Sequence, residues 1–314
     1  MSANQAMPAS IAAVQVGAPR KRRASNKGLW VGLAMLAPNL LGFLVFYAGP
    51  MVAGFGISFT HWDMLSSPKW AGLANYRQLF NDDLIRVSLK NTLIYSLITI
   101  PGGMVIALAL AMAVKETVRL GTLYRSLFFL PVVTSTIAVA LIWKSIFNTD
   151  YGLLNWLLDL AGLPPVGWLS DSRWAMVSVS LVSIWKTMGY NMVILLAGLF
   201  AVPQHLYEAA AIDGAGAWRR FINVTLPMLS PTLFFVLVIS VISSFQVFDQ
   251  VYVLTDGGPG NATLVYNYYL YQNAFDFFKM GYASAMAYAL FALIFLITLF
   301  QVKFLNKRVQ YDQV

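Results

Sequence analysis

The sequence has no cysteine, only two histidines and few charged residues. Without cysteine the chain forms no disulfide, no thiolate zinc site and no cysteine nucleophile. His61 and His205 lie far apart in the sequence, which argues against a histidine-rich metal site. Charged residues make up 11% of the chain and apolar residues 59%, whereas a soluble domain carries roughly 25% charged residues. Most of the chain is therefore expected to lie in a lipid bilayer.

Glutamate residues are also scarce, and the sequence has no recognisable nucleotide-binding motif. Glu116 and Glu208 are the only glutamates of the sequence, so a glutamate pair of the glycosidase kind is not expected on the outer side of a membrane. No Gly-x-x-x-x-Gly-Lys-Ser/Thr loop occurs, and no lysine follows a glycine. Zinc-protease, serine-hydrolase and EF-hand patterns are missing as well. We predict that the chain is not an enzyme and that any transport takes its energy from a partner.

Long apolar stretches are what the sequence has instead. Each reaches the roughly 20 residues that a helix needs to cross a bilayer, and none alternates like a strand of a membrane barrel. The first stretch carries no charge over residues 28–62, and Gly49-Pro50 is expected to break or bend it. Five further spans are predicted at residues 91–114, 127–147, 174–200, 226–254 and 283–302. The predicted fold class is an all-α membrane protein with six transmembrane helices.

The distribution of basic residues indicates the orientation in the membrane. With the N-terminus inside, the inner segments hold 13 of the 21 lysines and arginines and the outer segments hold seven. The positive-inside rule then places both termini in the cytoplasm. Residues 1–27 are predicted to be a disordered, basic cytoplasmic tail, residues 28–306 the six-span domain, and residues 307–314 a cytoplasmic C-terminal tail. The net charge of +8 is explained by this topology, so no nucleic acid partner is expected.

The inner loop between the fourth and fifth spans, the 203–225 loop, has its own pattern. Pro203 suits the first turn of a helix, and the alanine-rich segment 206–212 favours one. Gly214 and Gly216 are expected to end or turn this helix, after which a second short helix can begin. The loop is therefore expected to form two short helices that present a face of small residues at the inner membrane surface. An ordinary connector and a docking site explain this pattern equally well.

The same loop resembles the signature of a known family. The segments Glu208-Ala209-Ala210, Asp213-Gly214-Ala215 and Leu226-Pro227 look like the conserved cytoplasmic loop of binding-protein-dependent ABC transporter permeases. Segments elsewhere resemble the carbohydrate importer branch of that family, among them residues 72–76, 195–199 and 248–259. The resemblance covers nearly everything after residue 28.

The resemblance implies a type I ABC importer permease-like bundle in the cytoplasmic (inner) membrane of a bacterium. In that family the loop docks as a coupling helix in a cleft of a cytoplasmic ATPase subunit. The matching positions here are Glu208, Ala209, Ala210, Asp213 and Gly214. The implied partners are a second, different permease subunit, two ATPase subunits and an external substrate-binding protein. ATP and magnesium would act in the ATPase subunits, no cofactor is expected in this chain, and transport would follow alternating access.

Polar and aromatic residues within the predicted spans are candidates for the substrate path. A charge near the bilayer centre costs about 2.5–3.5 kcal/mol, so a lysine there should face protein or water. Such a lysine either makes a structural contact or lies beside the substrate path, and both explanations stay open. Aromatic rings with amide and carboxylate groups are typical of carbohydrate sites, although helix packing explains the same residues. The candidates are Lys186, Asn191, Gln246, Asp249 and Tyr252.

Two functions of other classes stay open at this point. One is an ion-coupled secondary transporter, although inverted repeats and broken midplane helices are not evident in the sequence. The other is a membrane scaffold that transports nothing. The cargo also stays open among oligosaccharides, monosaccharides, polyols and glycerol phosphate, because the resemblance assigns selectivity largely to the external protein.

Overall fold

A computed structural model describes residues 26–116 and 121–305 of the chain. The predicted tails, residues 1–27 and 307–314, lie outside the described residues except for Asn26 and Lys27, with which the first helix begins. The chain divides into two compact units, one within Met1–Ala53 and one within Gly54–Val314. Among the described residues, five helices are long and apolar enough to cross a membrane, and a bent helix pair adds a sixth span if it counts as one. This agrees with the predicted six-span, all-α class.

The first helical segment consists of α1 (Asn26–Phe43), a π-helical turn (Leu44–Ala48) and α2 (Gly49–Ile57). The chain stays helical through Gly49-Pro50, so of the two predicted outcomes, a break or a bend, the break does not occur. Gly49 has helical dihedral angles and donates its N–H to the carbonyl of Leu44. Pro50 follows at the beginning of α2, where the missing proline N–H is tolerated.

Four long helices form the frame of the second unit: α4 (Asp83–Glu116), α8 (Ser172–Ala201), α11 (Leu226–Phe245) and α14 (Met280–Phe300). The first of them begins eight residues before the predicted span, and the last continues as a π-helical turn (Gln301–Leu305). Their buried apolar side chains form two clusters. One cluster involves all four helices, and the other joins α4, α8 and α11 nearer the C-terminal end of α8.

The predicted span at residues 127–147 is wrong as a single helix. It is divided into α5 (Gly121–Val133) and α6 (Thr136–Ile146), which meet at an angle of 95°. The last carbonyls of a helix need partners from elsewhere, and the Nζ of Lys186 donates to the carbonyl oxygens of Pro131 (3.0 Å) and Thr134 (2.8 Å). A charged side chain from a different helix therefore stabilises the bend.

The predicted span at residues 226–254 is also interrupted. The helix α11 ends at Phe245, and a separate short helix, α12 (Asp249–Leu254), follows. The N–H of Gln246 donates to the carbonyl of Ser243 in a tight turn, and the dihedral angles of Phe248 lie outside the helical region. The short helix turns away and packs against α6 and α8.

One end of the second unit, here called the hairpin end, carries most of the short elements. They are β1 (Thr60–His61), β2 (Lys69–Trp70), α3 (Ala74–Asn81), α7 (Leu153–Leu160), α13 (Tyr266–Tyr271) and a π-helical turn (Gln272–Asp276). The two strands pair antiparallel, with Thr60 opposite Trp70. Asn75 fixes this end by donating to the carbonyls of Ser58 (2.9 Å) and Thr60 (2.8 Å).

The opposite end, here called the loop end, carries α9 (Gln204–Ile212), α10 (Ala217–Arg220) and a π-helical turn (Phe221–Thr225). The predicted pair of short helices with a glycine turn is confirmed. Gly214 has a φ of +74°, a left-handed conformation that glycine adopts without steric cost. Gly216 keeps an ordinary negative φ of −66°, so only the first glycine is required by the turn.

Candidate functional site

A cavity of about 270 Å³ lies between α4, α8, α11 and the segment that leads into α12. It is near the hairpin end of α11 and near the middle of α4 and α8. The residues that line it are Tyr95, Thr99, Ile100, Ser183, Thr187, Tyr190, Asn191, Ile239, Ser240, Ser243, Ser244, Gln246, Val247, Phe248, Asp249 and Gln250.

The lining of this cavity is polar although the helices around it are apolar. Eight of its side chains carry a hydroxyl group, three carry an amide and one carries a carboxylate. Groups of this kind are costly in a bilayer unless they face a water-filled space or a partner. The cavity therefore provides hydrogen-bond donors and acceptors for a hydroxyl-rich ligand.

Three of the five candidate path residues meet at this cavity: Asn191, Gln246 and Asp249. Asn191 is 8% exposed, while Gln246 and Asp249 are exposed at the end of α11 and the start of α12. Their side chains form no hydrogen bond with any other described residue, so their polar atoms are available to a ligand.

The other two candidates lie elsewhere. Lys186 is 9% exposed, and its ammonium group is held at the bend between α5 and α6 rather than in the cavity lining. Asp249 interacts with it electrostatically. Tyr252 stacks on Phe248, a cavity residue, with ring centroids 5.4 Å apart. It thus lies beside the cavity and does not line it.

Most of the hydroxyl-bearing lining residues escaped the sequence reasoning. Many hydroxyl groups of a helix bond to its own carbonyls, as Thr187 does to Ser183 (2.8 Å), so they look like ordinary polar residues of a span. The available signal was their spacing. Ser183, Thr187 and Asn191 follow one another at four-residue intervals, which places them on one face of α8. Tyr95 and Thr99 repeat that spacing on α4.

An aromatic cluster at the hairpin end extends from the cavity. Tyr252 packs against Tyr268 (6.0 Å) and Tyr271 (5.7 Å), measured between ring centroids. The hydroxyl of Tyr268 donates to the carboxylate of Asp256. Burial, and then this carboxylate, raise the pKa of Tyr268. The Tyr268 hydroxyl therefore remains a hydrogen-bond donor to Asp256 beside the cavity.

A second acidic group connects the elements of the hairpin end. The carboxylate of Asp82 accepts hydrogen bonds from the hydroxyls of Tyr269 (2.8 Å) and Tyr282 (2.7 Å). Burial, together with Asp82, raises the pKa of Tyr269 to about 12. These bonds join the turn between α3 and α4 to α13 and α14, so we assign them a structural role.

The 203–225 loop at the other end is exposed. Neither α9 nor α10 has a buried residue. Among the predicted coupling positions, Glu208, Ala209, Asp213 and Gly214 are exposed and Ala210 is half-buried. Two large apolar side chains of the loop also face solvent, since Ile212 is 87% exposed and Trp218 is 69% exposed. Such a surface is typical of a protein interface.

One contact connects this loop to a long helix, and two further contacts surround it. The Nζ of Lys115, in the last turn of α4, donates to the carbonyl of Leu199 near the end of α8 (3.1 Å). The same Nζ lies 4.9 Å from the centroid of the Tyr207 ring on α9, within range of a cation–π interaction. The hydroxyl of Tyr207 is 3.1 Å from the Oγ1 of Thr225, which directly precedes α11.

Comparison with known proteins adds to this geometry. Residues 91–311 match the family described as "Binding-protein-dependent transport system inner membrane component". A probable ABC transporter permease protein of Bacillus subtilis (strain 168), YesP, is 39% identical over 94% of this chain and 96% of that protein. The trehalose/maltose transport system permease protein MalF of Thermococcus litoralis is 35% identical over 87% of this chain and 92% of that protein.

Solved structures show the same likeness. The chain is similar to a chain in the crystal structure of a bacterial alginate ABC transporter in complex with an alginate pentasaccharide-bound periplasmic protein. The TM-score is 0.79 and the sequence identity is 25%, over 92% of this chain and 98% of that chain.

Proposed function

Because the chain belongs to the binding-protein-dependent transport system inner membrane component family, we propose that it is the permease subunit of an ATP-driven importer for sugars or sugar-like compounds. The observation that carries this proposal is the polar cavity between α4, α8 and α11. Its hydroxyl and amide groups match the hydroxyl groups of a sugar, and the surrounding apolar helices suit a bilayer.

The cavity forms this subunit's share of the translocation pathway. Asn191, Gln246 and Asp249 provide free hydrogen-bonding groups there, and Phe248 with Tyr252 provides aromatic surface at one side. Lys186 acts on this pathway only indirectly, through the bend between α5 and α6 and its interaction with Asp249. The hairpin end faces the outside and the loop end faces the cytoplasm, with both termini in the cytoplasm, as the distribution of basic residues indicates.

The 203–225 loop is the docking site for a cytoplasmic ATPase subunit. Glu208, Ala209, Ala210, Asp213 and Gly214 contact that subunit, and the exposed side chains of Ile212 and Trp218 extend the contact surface. The partners are a second, different permease subunit, two ATPase subunits and an external substrate-binding protein. The ATPase subunits bind ATP and magnesium, and their closure moves the loop so that access to the cavity alternates between the two sides.

Co-purification followed by transport measurement tests this function. The complex captured through the tagged chain should contain an ATPase subunit, and vesicles of the complete complex should take up a sugar from a panel that includes trehalose, maltose and lactose only when ATP is present. Uptake by this chain alone, driven by an ion gradient, would identify a secondary transporter. A chain that binds no ATPase and supports no uptake would be a scaffold.

A further inference from the structure

We propose that Lys115 is a positioning residue that transmits movement of the 203–225 loop to all three helices that line the cavity. This inference rests on the proposed function and names a residue outside the predicted docking surface. Its basis is the group of contacts among Lys115, the Leu199 carbonyl, Tyr207 and Thr225, here called the Lys115 cluster.

The Lys115 cluster attaches α9 to helices that already pack against one another. Lys115 belongs to α4 and Leu199 to α8, while Thr225 directly precedes α11. These are the three helices around the cavity. Tyr207 is the member on α9, the helix that carries the predicted coupling positions. A displacement of α9 is therefore felt at one end of each of the three helices.

The burial pattern shows that this cluster lies on the side of α9 that faces the long helices. Glu208 and Ala209 on α9 are exposed, whereas Tyr207 is half-buried and Thr225 is buried. A charge-assisted hydrogen bond and a cation–π contact resist separation more strongly than a neutral contact at the surface. Lys115 makes both contacts at once, so it connects the movement of α9 to α4 and α8.

Space around the cluster permits movement. A cavity of about 340 Å³ lies beside it and is lined also by Glu116 and Arg220. The Nε of Arg220 has no hydrogen-bond partner among the described residues. The loop can therefore shift against the helices without displacing a packed core, provided that Lys115 keeps the two connected.

The test uses the complete importer in lipid vesicles, with Ser243→Cys as a reporter in the cavity. The chain contains no other cysteine, and modification by the neutral reagent hydroxyethyl methanethiosulfonate is measured on this chain by mass spectrometry. Labelling rates are compared without nucleotide and after trapping with MgATP and vanadate. We expect the wild-type rate to change by about tenfold or more on trapping, within the range of allosteric coupling between sites.

Lys115→Met and Tyr207→Leu should reduce this change to less than about twofold while ATP hydrolysis continues. Lys115→Arg keeps the positive charge and a hydrogen-bond donor, so it should restore the change in labelling rate on trapping. Lys303→Met, the same substitution at a basic residue outside the cluster, should behave like the wild type.

Two results would overturn the proposal. One is a wild-type labelling change in Lys115→Met. The other is a loss of ATP hydrolysis in Lys115→Met in proportion to the loss of the labelling change, which indicates a merely structural role. If the wild type itself shows no nucleotide-dependent change, the proposed function fails and this inference fails with it.

Discussion

Polar groups from three helices line the cavity, among them the buried side chains of Tyr95, Ser183 and Asn191, whereas the helix α9 of the 203–225 loop buries none of its residues. The helix α8 shows how tightly the cavity side is built. A Cβ at Gly189 would collide with the backbone carbonyl of Phe128 on α5, and the Lys186 ammonium is fixed at the neighbouring bend. At Gly214 and Gly216 an added Cβ would meet nothing within 4 Å.

This difference separates a region supported by the chain itself from a region that faces solvent. The cavity walls formed by this chain are supported by contacts within the chain, so their geometry is set by folding. The loop exposes Ile212 and Trp218, and under the proposed function a docked ATPase subunit covers them. Substitutions in the two regions should therefore have different effects. Those around the cavity should change the stability of the protein or the chemistry of the cavity, and those in the loop should change the coupling of ATP hydrolysis to uptake.

The largest effect is expected from Gly214→Pro in the loop. Proline fixes φ near −65°, whereas Gly214 has a φ of +74°, so the turn between α9 and α10 cannot form. Sugar uptake should fall by about 100-fold, the upper range of coupling between sites, while the chain stays in the membrane and ATP hydrolysis continues. Glu208→Arg should act in the same direction by reversing a charge on the docking surface.

The matched control is Gly216→Ala, because Gly216 has an ordinary φ and open space around it. Uptake and ATP hydrolysis are measured on the same vesicles. Normal uptake by Gly214→Pro would contradict the docking role of the loop.

A smaller effect, on stability instead of coupling, is expected from Gly189→Ala. The added methyl group overlaps the Phe128 carbonyl, and overpacking of this kind costs about 1–3 kcal/mol. The same substitution at Gly216 should change stability by less than about 0.5 kcal/mol, as is usual at open surface sites. Thermal unfolding of the two purified variants provides the comparison, and equal midpoints would show that the α5–α8 contact is not close.

The smallest effect concerns the charge of the cavity. Ser243→Cys serves as the reporter, and the measured quantity is the ratio of its labelling rates with a cationic trimethylammonium reagent and an anionic sulfonate reagent, each divided by the rate for a free thiol. This ratio should exceed one because the Asp249 carboxylate lines the same cavity. Asp249→Asn should lower this ratio by about three- to tenfold, as expected for one nearby charge at intermediate dielectric. Asp276→Asn, which removes a carboxylate outside the lining, should leave the ratio unchanged. If Asp249→Asn left the ratio unchanged, the Asp249 carboxylate would not face the cavity.

The sequence predicted well what depends on composition and local turns. Long apolar runs were sufficient to locate α4, α8 and α14, and Gly214 was sufficient to locate the end of α9. The break between α5 and α6 was missed because its carbonyls are bound by Lys186, 52 residues further along from Thr134. A hydrogen bond of that range leaves no local pattern.

The cavity was predicted only in part for a similar reason. Gln246 and Asp249 stood out because charged and amide side chains are rare in spans. Ser183 and Thr187 did not, since their hydroxyls bond within α8 and only their shared face with Asn191 marks them. The role of Lys115 depends on Tyr207 and Thr225, which lie far from it in the sequence.

Accessibility of Ile212→Cys to a membrane-impermeant thiol reagent tests the central claim most directly. Ile212 is 87% exposed within this chain and lies on the surface assigned to the ATPase. We predict that the reagent labels this cysteine in inverted membrane vesicles from which the ATPase has been removed, and that added ATPase protects it. Spheroplasts, in which only the outer side of the membrane is accessible, should show no labelling. Labelling from the outer side, or labelling that the ATPase leaves unchanged, would contradict a gate driven from the cytoplasm through this loop.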